Sequence, residues 1–367
     1  MQSARADTFP LHNSRGRTMH FSARADANRA RQHPSQRGQS RHFADIDQLL
    51  GPREQRYFGS GFKRVQYRVI APCTDIAALP CQGKVAVIYP QDWSRKSTGA
   101  TAPPHLSTVD ATHLGAMLSE WAVAQRFTTS PAEPEVLINR CEIRSGNAPD
   151  EQLDALPYAI HRIVTEPLTD RRSLYRFSTR IELQLGSMEL AVTLTHNGQP
   201  RNNATHFDNT GMLEHDAPQS VAGRLAIGGV YGIDLHHLML GPDGGHAIAE
   251  TIFSAPTSVY RTLSNVEFVL ACAQMAQAVI YQKDRISRTR SNTLWMRDFI
   301  ISTAVPCKVR RQQLIELYTL SHKRRRANGS NWSVFRFLCQ LGAMTATFTF
   351  AHHLPATEED ALPASGD

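Results

Sequence analysis

The sequence predicts an α+β protein with the plan of a double hotdog, two copies of an antiparallel sheet each wrapped around a buried central helix. Three observations predict it. Residues 263–280 read as a helix that is apolar nearly all round, since Val266, Val269, Leu270, Ala273, Met275, Ala276, Val279 and Ile280 leave no wide polar stripe. Such a helix is enclosed by the fold on every side, and Glu267, Gln274 and Gln277 interrupt it too often for a membrane span. The same stretch occurs earlier: Leu106-Ser107-Thr108-Val109-Asp110 precedes Leu263-Ser264-Asn265-Val266-Glu267 by a fixed offset, which also brings Arg140 onto Arg297. Farther on, an offset shorter by one brings Gln184-Leu185-Gly186-Ser187-Met188 onto Gln340-Leu341-Gly342-Ala343-Met344 and His196 onto His352. A near-constant offset over this length reads as an internal duplication. The third observation is the run of alternating apolar and polar residues after each helix, the period of half-buried strands.

The elements follow in order. Residues 1–42 hold eight Arg against two Asp and no apolar run, so they lack the surface to fold. Order is expected from a short helix at 43–50, stopped by Gly51-Pro52. Strands are expected at 64–70 and 84–89, with a long loop at 90–104. The first central helix, 108–127, starts at a capping box, Ser107 with Asp110 three residues on; Ser264 and Glu267 repeat it in the second copy. Strands follow near 135–144, 158–163, 174–185 and 188–196. In the second copy a strand at 247–253 precedes the helix, and strands near 293–303, 314–320, 333–341 and 344–352 follow it. The domain reading is therefore a tail at 1–42, one hotdog at 43–205, a second at 206–353, and a loose acidic tail at 354–367.

Composition narrows the function. The chain carries a net charge of +7, nearly all of it in residues 1–42. The almost neutral body argues against a nucleic-acid partner. Cys73, Cys81, Cys141, Cys272, Cys307 and Cys339 form no CxxC and no zinc-type Cys/His spacing, so no metal is expected; free thiols in a reducing cytoplasm are the simpler reading. No P-loop, GxGxxG, HExxH or GxSxG occurs.

Several long motifs resemble one family. Tyr57-Phe58-Gly59-Ser60-Gly61-Phe62-Lys63-Arg64-Val65, Tyr89-Pro90-Gln91-Asp92-Trp93-Ser94-Arg95-Lys96-Ser97, Pro104-His105-Leu106-Ser107-Thr108-Val109-Asp110 and Ser291-Asn292-Thr293-Leu294-Trp295-Met296 are similar to the avirulence D (AvrD) family of plant-associated bacteria. The resemblance spans roughly residues 43–305 and leaves out the Arg-rich start. It implies secondary metabolism: an enzyme making syringolide-type acyl glycolipid elicitors, which joins a β-ketoacyl thioester to a pentulose sugar. The logic is similar to that of A-factor-type butyrolactone synthases. The implied partners are acyl thioester and sugar substrates, with an acyl carrier protein as a further candidate. No cofactor is implied beyond acyl-CoA or acyl-ACP as substrate.

The duplication sorts the candidate residues, because features in one copy only are better candidates for a site. His105 precedes the first central helix where the second copy has Thr262, which makes it the candidate general base. Asp110 and Glu267 complete the capping boxes; as carboxylates on the central helix they are also catalytic candidates, Glu267 as the partner of His105 across the two copies. Ser107, Ser264 and Asn265 stand where free amides at a helix N-terminus can hold a thioester carbonyl. Trp93 and Trp295 are candidate walls of an acyl tunnel, with core packing the simpler reading. Arg95 and Lys96 are candidates for a pantetheine phosphate or a sugar. Lys323-Arg324-Arg325-Arg326 is a basic run suited to a CoA phosphate or an acidic carrier protein, though such runs are also common as solvated turns. The alternatives to an acyltransferase are a hotdog dehydratase or thioesterase and a non-catalytic binder of a lipid-like signal.

Overall fold

The computed structural model describes residues 39–355, apart from 74, 94–102, 129–135, 171–172, 201–232, 254–261, 292–293, 310–311 and 328. The chain begins with β1 (Arg41–Asp45) and a one-turn helix α1 (Asp47–Leu50), followed by β2 (Gln66–Ala71) and β3 (Cys81–Ile88). The long helix α2 (Thr108–Arg126) leads into β4 (Phe127–Thr128), β5 (Leu137–Arg144), β6 (Leu156–Pro167), β7 (Phe177–Leu185), β8 (Met188–His196) and β9 (Gln199–Pro200). Then come β10 (Ile233–Leu240), β11 (His246–Phe253) and the second long helix α3 (Asn265–Asp284). The described chain closes with β12 (Leu294–Thr303), β13 (Gln312–Ala327), β14 (Ser330–Leu341) and β15 (Met344–His353).

Thirteen strands form one antiparallel sheet, in the order β1-β10-β11-β13-β14-β15-β12-β5-β8-β7-β6-β3-β2. Read outward from the β12–β5 seam, the two directions match strand for strand. β5-β8-β7-β6-β3-β2 on one side answers β12-β15-β14-β13-β11-β10 on the other. The seam is an ordinary ladder, with Asp298 opposite Arg144 and Ser302 opposite Arg140. The duplicated Gly186 and Gly342 stand at the β7–β8 and β14–β15 hairpins with φ of 56° and 59°. That left-handed backbone at the first residue of a two-residue turn favours glycine.

Each long helix is enclosed. Val109, Ala111 and Leu114 of α2 and Phe268, Val269 and Ala271 of α3 have no exposed surface. α2 packs on β5, β7 and β8, α3 packs on β10, β11, β13, β14 and β15, and the helices touch each other. Full burial of one side chain such as Phe268 contributes about 1.5–3 kcal/mol. Both capping boxes form: Ser107 Oγ accepts the Asp110 N–H (3.1 Å) and Asp110 Oδ2 accepts the Ser107 N–H (2.8 Å). The corresponding distances at Ser264 and Glu267 are 3.2 and 3.0 Å. α2 ends where Phe127 turns extended, and α3 ends at Arg285, which has left-handed φ and ψ.

The start of the chain differs from the sequence expectation. Residues 41–45 are a strand rather than part of a helix, and they pair with β10 of the second copy. β10 itself is not apparent from the sequence pattern. Cys73 and Cys81 are joined as a disulfide rather than left as thiols, whereas Cys141, Cys272, Cys307 and Cys339 are free and buried. Among the described residues, no helix is long and apolar enough to cross a membrane. The tail assignments at 1–42 and 354–367 lie almost wholly outside the described residues.

Candidate active site

A dense, buried polar cluster forms around the first turn of α2. Asp110 is fully buried, and three phenols, one hydroxyl and one backbone amide surround its carboxylate. Tyr57 Oη (3.0 Å) and Tyr67 Oη (2.6 Å) donate to Oδ1. Tyr89 and Ser107 donate to Oδ2, the Ser107 hydroxyl at 2.5 Å. Tyr89 Oη also lies 3.1 Å from the His105 carbonyl, and Tyr57 Oη lies 2.8 Å from Ser107 Oγ. A carboxylate offers about four lone-pair sites, so these neighbours leave Asp110 little room to accept a substrate proton. Its part is to hold three phenols in place.

Each phenol comes from a different element. Tyr67 is on β2, Tyr89 follows β3, and Tyr57 sits between the two 3-10 turns at Arg53–Gln55 and Gly61–Arg64. Contacts with the second copy fix that last segment. Arg56 Nη1 donates to Gln274 Oε1 of α3 (2.9 Å) and Arg56 pairs with Asp47; Arg53 pairs with Asp234 of β10. Arg288 Nη2 donates to the Gln55 carbonyl (2.9 Å). The cluster thus stands on the first copy's helix at the junction with the second. Gln274, one of the polar interruptions in the apolar helix, is there to meet Arg56.

Burial, reinforced by the Asp110 charge, pushes Tyr57, Tyr67 and Tyr89 well above the ordinary tyrosine value, so they are neutral hydrogen-bond donors at physiological pH. One turn along α2, His113 packs on the Tyr67 ring with centroids 4.6 Å apart. It is 5% exposed, its Nδ1 has no hydrogen-bond partner, and burial pulls its imidazole down to about 4. His113 falls on Leu270 of the second copy.

The sequence candidates fall as follows. His105 is half-buried, with Nδ1 3.4 Å from the Pro103 carbonyl and its ring edge-on to Trp93 at 5.8 Å. An Nδ1–H directed at that carbonyl leaves Nε2 as the proton acceptor. Trp93, 8% exposed, also meets Tyr57 and Tyr89 edge-on, at 5.5 and 5.2 Å. The structure thus gathers His105, Trp93, Ser107 and Asp110 in one place. Glu267, Ser264 and Asn265 form the matching first turn of α3. The His105 ring meets Pro103 and Trp93, and among the described residues no hydrogen bond or ion pair joins it to Glu267. Arg95 and Lys96 lie outside the described residues. At the start of α2 the capping box uses the amides of Ser107 and Asp110, and Ala111 N–H goes to the Ser107 carbonyl. Among the described residues, the Thr108 and Val109 amides of that turn make no hydrogen bond.

The duplicated histidines are stitched into the fold. His196 Nε2 bonds Thr179 Oγ1 (2.8 Å), and His352 Nε2 bonds Ser291 Oγ (2.9 Å) with Nδ1 on Asp284 (2.7 Å). The Ser–His–Asp order is present in the second copy, yet its histidine repeats one that does without the acid.

Comparison with known proteins agrees with the family resemblance. The family described as Pseudomonas avirulence D protein (AvrD) matches residues 41–225 and 244–359. No curated protein matches the chain. Solved structures similar to it include a conserved hypothetical protein from Mycobacterium tuberculosis described as having a double hotdog fold. That similarity is 13% identity over 87% of this chain and 97% of the other, with a TM-score of 0.37. A 12:0-ACP thioesterase from Umbellularia californica has 9% identity over 81% and 99% of the two chains, with a TM-score of 0.39. A hotdog-fold protein of unknown function from Alicyclobacillus acidocaldarius has 12% identity over 82% and 98%, with a TM-score of 0.34.

Proposed function

The chain belongs to the Pseudomonas avirulence D protein (AvrD) family, and from that membership we propose that it is an enzyme acting on acyl thioesters. In the finer reading it joins a β-ketoacyl thioester to a pentulose sugar, a step toward a syringolide-like acyl glycolipid. The observation that carries this reading is the cluster of His105, Trp93 and three tyrosines on Asp110 at the start of α2.

The proposed chemistry follows from the residues present. The thioester carbonyl oxygen lies against the Thr108 and Val109 amides, donors aimed where negative charge develops. His105 Nε2 takes the proton of a sugar hydroxyl as that oxygen bonds to the thioester carbon. The carbon–sulfur bond then breaks, and the departing thiolate takes that proton from His105 Nε2 and leaves as a free thiol, which returns the imidazole to its neutral form. Asp110 keeps the phenols of Tyr57, Tyr67 and Tyr89 in place, so their positions need no reorganisation during the reaction.

Purified protein incubated with a β-ketoacyl thioester and xylulose should release thiol and yield a joined product by mass spectrometry. Thiol release without a joined mass would replace the transferase with a thioesterase. Neither thiol nor new mass would end the enzymatic reading.

A further inference from the structure

His113 has no part in the chemistry above, and it weakens the helix face that holds it. Its Nδ1 is buried without a partner, and among the described residues its ring makes no hydrogen bond. A buried imidazole in that state costs stability, because nothing replaces the water it gave up. The fold does not require it, since the second copy has a buried leucine, Leu270, at the matching position.

The imidazole borders the cluster at the start of α2. Tyr67 joins the two: its hydroxyl donates to Asp110, and its ring packs on His113 with centroids 4.6 Å apart. Val109, whose amide holds the thioester oxygen in the reading above, lies four residues earlier, a rise of about 6 Å along the helix. Helical side chains lean toward the N-terminus, so the imidazole reaches back along that interval.

Beyond His113 the same helix face turns apolar and is open. Met117 and Trp121 follow as the fourth and eighth residues on, and both are only partly buried. The matching face of α3 is covered: Leu270, Gln274 and Ala278 are all buried, with Gln274 against Arg56. An acyl chain whose thioester sits at the start of α2 and whose tail lies on Met117 and Trp121 passes His113 within its first few carbons. Burial keeps the ring uncharged, which suits a neutral oxygen rather than a phosphate or a carboxylate.

We propose that His113 hydrogen-bonds a neutral oxygen on the third carbon of the acyl chain, a ketone or a hydroxyl, and so selects oxygenated chains over plain ones. The proposal rests on the acyl-thioester reading above, and its test separates the two. The probes are three acyl amides of one length with nitrogen in place of the thioester sulfur: a 3-oxo, a 3-hydroxy and an unsubstituted chain. In calorimetry the full chain should bind one of the oxygenated amides about tenfold or more tightly than the plain one, because a plain chain leaves the buried imidazole unpaired. Which of the two it prefers assigns the oxygen as ketone or hydroxyl. His113→Leu should erase the preference while holding the affinity for the plain amide within about twofold. His113→Gln, which keeps a donor and an acceptor, should retain part of it. Equal affinities for the three amides, failure of all three to bind, or a preference that survives His113→Leu would overturn the role of His113. With the matching thioesters the same preference should appear in kcat/KM. Thioester turnover without any preference would overturn the role of His113 and leave the acyl-thioester reading standing. A His113-dependent preference in binding, in a protein that turns over no thioester, would uphold His113 and sink that reading instead.

Discussion

The first turns of α2 and α3 are built from one cap and differ in what surrounds it. In each, a serine and an acid three residues later exchange hydrogen bonds. Around Asp110 three tyrosines converge, His105 stands just before the helix, and His113 lies one turn farther along. At the matching positions of the second copy are Thr262 and Leu270. The cap belongs to the fold in both copies. The imidazoles at 105 and 113 stand in the first copy alone, and a duplicated fold separates these two contributions within a single molecule.

The comparison breaks most sharply at His105. Replacing it with Ala should cut turnover about 10²- to 10⁴-fold, the usual contribution of a general base. Thr262→Ala, the same change in the second copy, should leave kcat within twofold. Equal effects in a steady-state assay would remove the asymmetry on which the site rests.

The two acids come next. Asp110→Ala leaves three buried phenols without their acceptor as well as removing a cap, and should cost about 3–5 kcal/mol in urea denaturation. Glu267→Ala should cost about 1–2 kcal/mol, the order of a lost cap. Comparable losses would mean that the tyrosine cluster adds nothing to stability.

His113 gives a test in pH. Its folded value of about 4 lies below the unfolded value near 6.5, so the unfolded chain binds the proton more readily in that interval. Its contribution is therefore complete above pH 6.5 and is lost as pH falls toward 4, by up to about 3 kcal/mol. His113→Leu, which copies the second half, should flatten that interval in a stability-versus-pH series. At pH 7 the variant should be as stable as the parent or slightly more so, because an unpartnered buried polar atom is gone.

Within the cluster, Tyr67→Phe should cost about 1.5–3 kcal/mol, the value of one buried hydrogen bond to a charged group. A value near zero would place the Tyr67 hydroxyl outside the network.

Much of this was legible in the sequence, for physical reasons that differ by element. Strands β5 to β8 and β12 to β15 occur twice, so each copy checks the other. β10 escaped because a bulge between His236 and Met239 shifts its register, and Ile233 and Leu235 point inward on one parity while Leu238 and Leu240 do so on the other. The strand β1 is set by its distant partner rather than by its own residues, Arg-His-Phe-Ala-Asp. Within the site, Ser107 and Asp110 were visible as a capping box. Tyr57, Tyr67 and Tyr89 were not, because they are scattered along the chain and only the sheet brings them to one carboxylate. His113 could have been found: it lies three residues after Asp110 on the same helix face, opposite a leucine in the repeat.

The attachment of β1 to β10 bears on how the chain can be trimmed. Cutting away the Arg-rich start back to a helix at residue 46 would strip the outermost strand and leave the β10 backbone unpaired along one side. An open edge of that kind recruits strands from other molecules. A shortened protein would then precipitate or form chains for a reason unrelated to its catalytic groups, and a loss of activity in it would say nothing about them.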